Sequence, residues 1–312
     1  MTHPNRPCMA RMIAAAALTA ASLATMSDAS AQRAFATPDQ AAEALASAWQ
    51  SGSSDSLLAI FGPDGAKLVS SGDPVAERYA RDRLAAAYAE QHHIEPSNDG
   101  RTQIVLGKDD WPYPIPLVKQ EEGWVFDVKD GALQIVDRRV GRNELDAIES
   151  CRTFVQAQDD YASRDPMGTG LHEYAQKIAS SEGKRDGLYW PVSEGEQESP
   201  LGPLVAAAEA QGYGRTSAEG LTPFHGYYFR ILTRQGRHAD GGPKDYLVNG
   251  HLTRGFALLA YPAKYGDSGV MTFIVSKAGI VFEKNLGPDT ATIAAKITEY
   301  DPDRSWRVVR QQ

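Results

Sequence analysis

The chain has 312 residues, 42% hydrophobic and 23% charged, with a net charge of −8 at pH 7. That acidity disfavours nucleic acid and anionic lipid as partners, since binding either requires a cationic surface. With two cysteines there is no disulfide-stapled scaffold, so stability has to come from core burial, which this length supplies.

Residues 1–31 read as an export signal. Arg6 and Arg11 form a basic start, Met12 to Met26 is an alanine-rich apolar run of 15 residues, and Ala29-Ser30-Ala31 offers the small residues a signal peptidase reads. The run is shorter than the roughly 20 residues that span a bilayer, so cleavage after Ala31 is expected, with no transmembrane segment afterwards. Cys8 leaves with the signal and Cys151 stays alone, which excludes an internal disulfide. The mature chain carries 30 basic and 39 acidic residues, a net −9, and is expected to be periplasmic or secreted.

Thr37-Pro38-Asp39-Gln40 is a capping box with proline at the first helical position. It predicts a helix to about Gln50 that buries Ala41, Ala42, Leu45, Ala48 and Trp49. Ser51 to Asp55 breaks it, and Leu57 to Phe61 is too short to classify. Asp73-Pro74 opens a second helix with Val75, Tyr79, Leu84, Ala87 and Tyr88 on one side, ended by His92-His93. From Thr102 the period drops to two, predicting strands at Thr102 to Leu106, Ile115 to Lys119, Trp124 to Val128 and Leu133 to Asp137. Residues 32–140 therefore read as an α+β domain of N-terminal helices with a curved antiparallel sheet, by analogy nuclear-transport-factor-like.

A second α+β domain is expected over 141–312. Asn143 is placed to cap its helix, whose buried stripe is Leu145, Ile148, Cys151, Phe154, Val155 and Tyr161. Cys151 is then a structural thiol, with no Lys or His at helical spacing to activate it. Arg138, Arg139 and Arg142 lie at the join and are expected to pair with acids across it. A loop-rich passage from Arg164 to Thr222 holds one helix, Leu204 to Gln211, stopped by Gly212. Strands follow at His225 to Thr233, Gly255 to Tyr261, Val270 to Ser276 and Ile280 to Lys284, the last two joined by an Ala278-Gly279 turn. A helix from Thr290 to Tyr300 and a packed Trp306 close the chain.

Five motifs in order carry a family resemblance: Trp111-Pro112-Tyr113-Pro114-Ile115-Pro116, Val140-Gly141-Arg142-Asn143-Glu144, Arg185-Asp186-Gly187-Leu188-Tyr189-Trp190-Pro191, Ser199-Pro200-Leu201-Gly202-Pro203 and Tyr265-Gly266-Asp267-Ser268-Gly269. From about Ala34 to Trp306 the chain resembles an exported bacterial family, domain of unknown function 2950. The resemblance implies an envelope task shared with a neighbouring exported protein. The second domain also resembles pilin-like globular heads, through Asn143, Glu144, Ala147, Ile148 and Arg152, then Ser268, Gly269, Phe273, Val275 and Gly279. A pilin helix begins with an apolar membrane half, whereas a whole domain precedes this one, so the resemblance implies the architecture and not a filament.

Gly266-Asp267-Ser268-Gly269 also resembles the nucleophile loop of chymotrypsin-like proteases. A serine needs a positioned histidine to take its proton, and that family's histidine signature is absent, so Ser268 is expected to hydrogen-bond backbone in a turn. There is no His-Glu-x-x-His or paired Cys-x-x-Cys, and Asp165 is the lone carboxylate of Asp165-Pro166-Met167-Gly168-Thr169-Gly170, so no metal or other cofactor is expected. Gly236, Gly241, Gly242 and Gly250 read as turns, not a phosphate cradle. A carboxylate pair for glycoside cleavage stays open.

The rings carry more. Trp111 and Tyr113 sit among three prolines, and Tyr189-Trp190-Pro191 follows Lys184-Arg185-Asp186-Gly187. Prolines hold such segments extended, so Trp111, Tyr113, Tyr189 and Trp190, with Arg185 and Asp186, form the candidate ligand site: a groove that stacks on a cell-wall glycan or grips a peptide. The competing reading is that the rings close a core or a domain seam. The function expected is a non-catalytic periplasmic binding or envelope-assembly module. The alternatives are an envelope hydrolase using Ser268 or a carboxylate pair, and a structural partner of another exported protein.

Overall fold

A computed structural model describes residues 32–97, 100–213 and 222–310. The signal read at residues 1–31 lies outside them.

Local signals set the first helices. In α1 (Pro38–Ser51) the Thr37 hydroxyl accepts from the Gln40 amide at 3.2 Å, and all five expected stripe residues are buried, with Ala46 beside them. Ser53 caps α2 (Ser54–Phe61), which buries Leu57, Ile60 and Phe61. Short α3 (Ala66–Val69) leads to α4 (Pro74–Glu90), capped by Asp73. The stripe expected on α4 is only partly buried: Leu84, Ala87 and Tyr88 pack on the core, whereas Tyr79 is exposed. The helix ends at Glu90, just before His92-His93, as expected. They open β1 (His92–Pro96), because the Gln91 carbonyl accepts from Gly107 N–H and draws the chain onto β2 (Thr102–Leu106).

The first sheet adds β3 (Trp111–Pro112), β4 (Leu117–Gln120) and β5 (Gly123–Phe126) in the order β1-β2-β4-β5, with β3 also on β2. Gly123 has φ 137, and a Cβ there would stand 2.5 Å from the Phe35 carbonyl, which accepts from Trp124 N–H. The glycine lets the entering chain cover the β5 edge.

The strand expected at Leu133 to Asp137 is helix. It belongs to α5 (Val128–Arg164), which has 37 residues and runs through both the join expected near residue 140 and the cap expected at Asn143. Val128, Ala132, Ile135 and Val136 follow helical spacing and turn toward the structure, while Leu133 is 69% exposed. Gly131 permits the passage, since a Cβ there would lie 2.4 Å from the Pro114 carbonyl. Leu145, expected in the buried stripe, is 61% exposed; Ile148, Cys151, Phe154 and Tyr161 are buried as expected.

The second half follows with α6 (Gly202–Ala210), β6 (Tyr227–Leu232), the pair β7 (Arg234–Gln235) and β8 (Lys244–Asp245), and the pair β9 (Leu247–Val248) and β10 (His251–Leu252). Then come β11 (Ala257–Pro262), β12 (Met271–Ser276), β13 (Val281–Asn285), α7 (Thr290–Lys296) and β14 (Arg307–Val308). A five-stranded antiparallel sheet has the order β14-β13-β12-β11-β6, with the expected β12–β13 hairpin. Arg230 donates to the Ala294 and Ile297 carbonyls, so α7 covers one face, and the pleat turns Phe229 and Ile231 to the other face, where α5 lies. The fold class is α+β. No helix of the described residues is long and apolar enough to cross a membrane.

Two hydrophobic clusters form, one from Phe35 to Val128 and one from Ala147 to Tyr300, each taking one end of α5. Polar joints lie between them. Asp73, 1% exposed, accepts through one oxygen from Val75 and Ala76 N–H at 3.2 and 3.0 Å. Its other oxygen accepts from the Tyr213 hydroxyl at 2.7 Å and from Gly226 N–H at 2.8 Å. Arg139 donates to the Lys67 carbonyl at 2.7 Å and the Asp267 carbonyl at 2.9 Å. Its hydrogen bonds go to carbonyls, while the acids Asp267 and Glu77 act on it through their charge.

Asp73→Ala strips a helix cap and leaves two donors of the second half unmatched. Urea unfolding should show a loss of about 2–4 kcal/mol. Burial pushes the Cys151 thiol up to about 12 despite nearby Arg152. Iodoacetamide at about pH 8 should leave Cys151 unmodified until the protein is unfolded. A thiol raised on folding lowers stability as pH climbs from about 8.5 toward the folded value, so Cys151→Ser should flatten that alkaline loss.

Candidate ligand-binding cleft

The segment around residues 176–191 is built by its own main chain. Leu188 N–H donates to the Lys177 carbonyl, Tyr189 N–H to Ile178, and Ser180 N–H to Tyr189. Asp186 accepts from Ser181 N–H at 2.8 Å and pairs with Lys177 at 2.8 Å. Desolvation pulls its carboxyl upward, but the Lys177 and Ser181 hydrogen bonds outweigh that and hold it at about 2. Asp186 is thus a brace of the loop. The Arg185 guanidinium does not pair with it and lies over the Trp190 ring, 5.6 Å from the centroid.

Behind this loop lies a cleft of about 940 Å³. Phe229 and Ile231 of β6 and Leu258 of β11 form its floor, Phe154 of α5 and Leu204 and Val205 of α6 its walls, and Tyr189, Lys184 and Arg185 stand at the loop side. Trp190 lines it but is 7% exposed and packed on Tyr161, with its indole N–H unmatched among the described residues.

The floor is also a sheet edge. Ala263 N–H donates to the Gly226 carbonyl, which sets the antiparallel alternation: Tyr228, Arg230 and Leu232 turn their main-chain groups to β11, and Tyr227, Phe229, Ile231 and Thr233 turn theirs outward. The outward groups of Tyr227 are met by Phe224, and the Thr233 carbonyl by Tyr246 N–H. Between them, the amides and carbonyls of Phe229 and Ile231 have no partner among the described residues. Arg230 lines the cleft although its guanidinium is held on the opposite face, so its main chain is what the cleft meets.

The four rings chosen from sequence do not share one groove. Trp111, 41% exposed, lines a separate polar cavity of about 560 Å³ with Gln103, Gln134 and Arg138. Tyr113 is 4% exposed, edge-on to Trp49 at 5.3 Å, and burial pushes its hydroxyl well up. Proline-flanked rings look alike in sequence, and only packing separates Tyr113 and Trp190 in cores from Trp111 and Tyr189 at cavities.

Ser268 is fully buried. Its hydroxyl accepts from Lys264 N–H at 2.9 Å and donates to the Lys264 carbonyl at 3.1 Å, as expected of a turn. His225, His238 and His251 face Asp146, Asp301 and Glu173 respectively. Among the described residues no three His, Cys, Asp or Glu side chains are placed to hold a metal.

Thermal melts should sort the rings. Tyr113→Ala and Trp190→Ala should each cost about 3–5 kcal/mol, and Trp111→Ala less than about 1 kcal/mol.

A family model described as protein of unknown function (DUF2950) matches residues 32–309. No curated protein and no solved structure matches the chain, so the pilin-like reading of the second half finds no support there.

Proposed function

The chain belongs to the DUF2950 family, and we propose that it is an exported, non-catalytic binding module of the envelope whose ligand occupies the cleft between α5, α6 and β6. The carrying observation is the cleft itself. At about 940 Å³, with an apolar floor and a few polar groups at one side, it has the size and lining of a ligand pocket. The sequence of residues 1–31 supports export, and the acidic mature surface suits a partner other than nucleic acid. The hydrolase alternative loses its serine, since both hydrogen bonds of the Ser268 hydroxyl go to Lys264.

An apolar probe tests the cleft. Titration with 8-anilinonaphthalene-1-sulfonate should give one saturable site, weakened at least tenfold by Val205→Trp, which fills a wall. Equal dye binding by a folded Val205→Trp variant would overturn this assignment. Fractionation with mass spectrometry of the amino terminus checks export, with a chain beginning at Gln32 in the periplasm as the expected result.

A further inference from the structure

We infer that the cleft takes an extended peptide segment, which adds to the edge of β6 as the sixth strand of the sheet. The inference rests on the reading of the cleft as a ligand site and names its occupant. Phe229 and Ile231 do two things at once: their side chains floor the cleft, and their amides and carbonyls, unmatched among the described residues, line its edge. A strand laid on those groups would meet two donors and two acceptors, with alternate side chains falling onto Phe229, Ile231 and Leu258. An acyl chain would cover the same floor but leave both amides desolvated without an acceptor.

The ends of the open stretch set the length of the guest. Phe224 occupies the edge at Tyr227 and Tyr246 occupies it at Thr233, leaving room for roughly five or six extended residues. β6 also lacks the usual sequence devices that protect an edge. It contains no proline, and its one charge, Arg230, is tied down on the α7 side. The opposite edge of the same sheet ends in β14, two residues long, so the sheet is blunted on one side and open on the other. The guest is therefore a segment with apolar residues at alternate positions and no proline among them.

An immobilised library of N-acetylated hexapeptides tests this, with Thr at odd positions and Val, Leu, Phe or Tyr at even ones. The strongest binder should bind the folded protein saturably and slow amide exchange at Phe229 and Ile231. N-methylation of its edge-facing nitrogens should weaken it at least tenfold on the unaltered protein. Ile231→Pro, which removes an edge donor, should weaken the peptide similarly. Dye binding without any peptide binder, or a methylated peptide that binds as well as its parent, would refute strand addition and leave the cleft standing. Loss of both would remove the cleft reading too. A dimer that disappears in Ile231→Pro would give the edge to a second copy of the chain and overturn the peptide assignment.

Discussion

One helix holds the molecule in register. At 1.5 Å per residue α5 is roughly 55 Å long, and its two ends are buried in different cores. A rigid rod shared in this way fixes the separation of the cores, and the contacts between them have to fit it. Its middle is polar, from Asp137 to Asp146, and cannot be buried against apolar side chains. It is satisfied by main chain: Arg139, Asn143 and Glu144, spaced four and one apart, meet the Asp267 carbonyl, the Ser268 carbonyl and the amides of Val270 and Met271. The β11–β12 turn is thus gripped by one face of the helix.

This joint explains two of the family motifs as a single object. Val140-Gly141-Arg142-Asn143-Glu144 is the helix side and Tyr265-Gly266-Asp267-Ser268-Gly269 the turn side. The turn is tight for a steric reason: a Cβ on Gly269 would sit 2.2 Å from the Tyr227 hydroxyl oxygen, and one on Gly226 would sit 2.5 Å from Asn143 Nδ2. A protease-like string of residues therefore marks a place where backbone packs tightly against buried side chains. Two other motifs meet in the same manner, for Leu201 N–H donates to the Leu188 carbonyl and so ties the Ser199 segment under the Arg185 loop. That tie fixes α6 beside the loop and shapes the cleft wall.

Placement of the second sheet on α5 leaves β6 at the rim. Every strand from β11 to β13 has neighbours on both sides, whereas among the described residues β6 is paired only with β11. Its outer groups are closed at both ends by loop contacts and, among the described residues, left open in between, over the apolar floor. On the proposed reading, recognition is a property of backbone placement, with Tyr189 and the basic residues of the loop at one side of the cleft.

Sequence alone determined what depends on near neighbours. The Thr37 and Asp73 caps, the stripes of α1 and of the second part of α5, the four longer strands β6, β11, β12 and β13, and the role of Ser268 all follow from local spacing and turn chemistry. Tertiary structure decided the rest. Leu133 to Asp137 satisfies both strand and helix periods, and the close passage over Pro114 settled it as helix. His92 and His93 became strand because β2 was there to pair with them. The edge of β6 was invisible for a deeper reason: an amide is the same in every residue, and whether it finds a partner depends on which strand lies beside it in space.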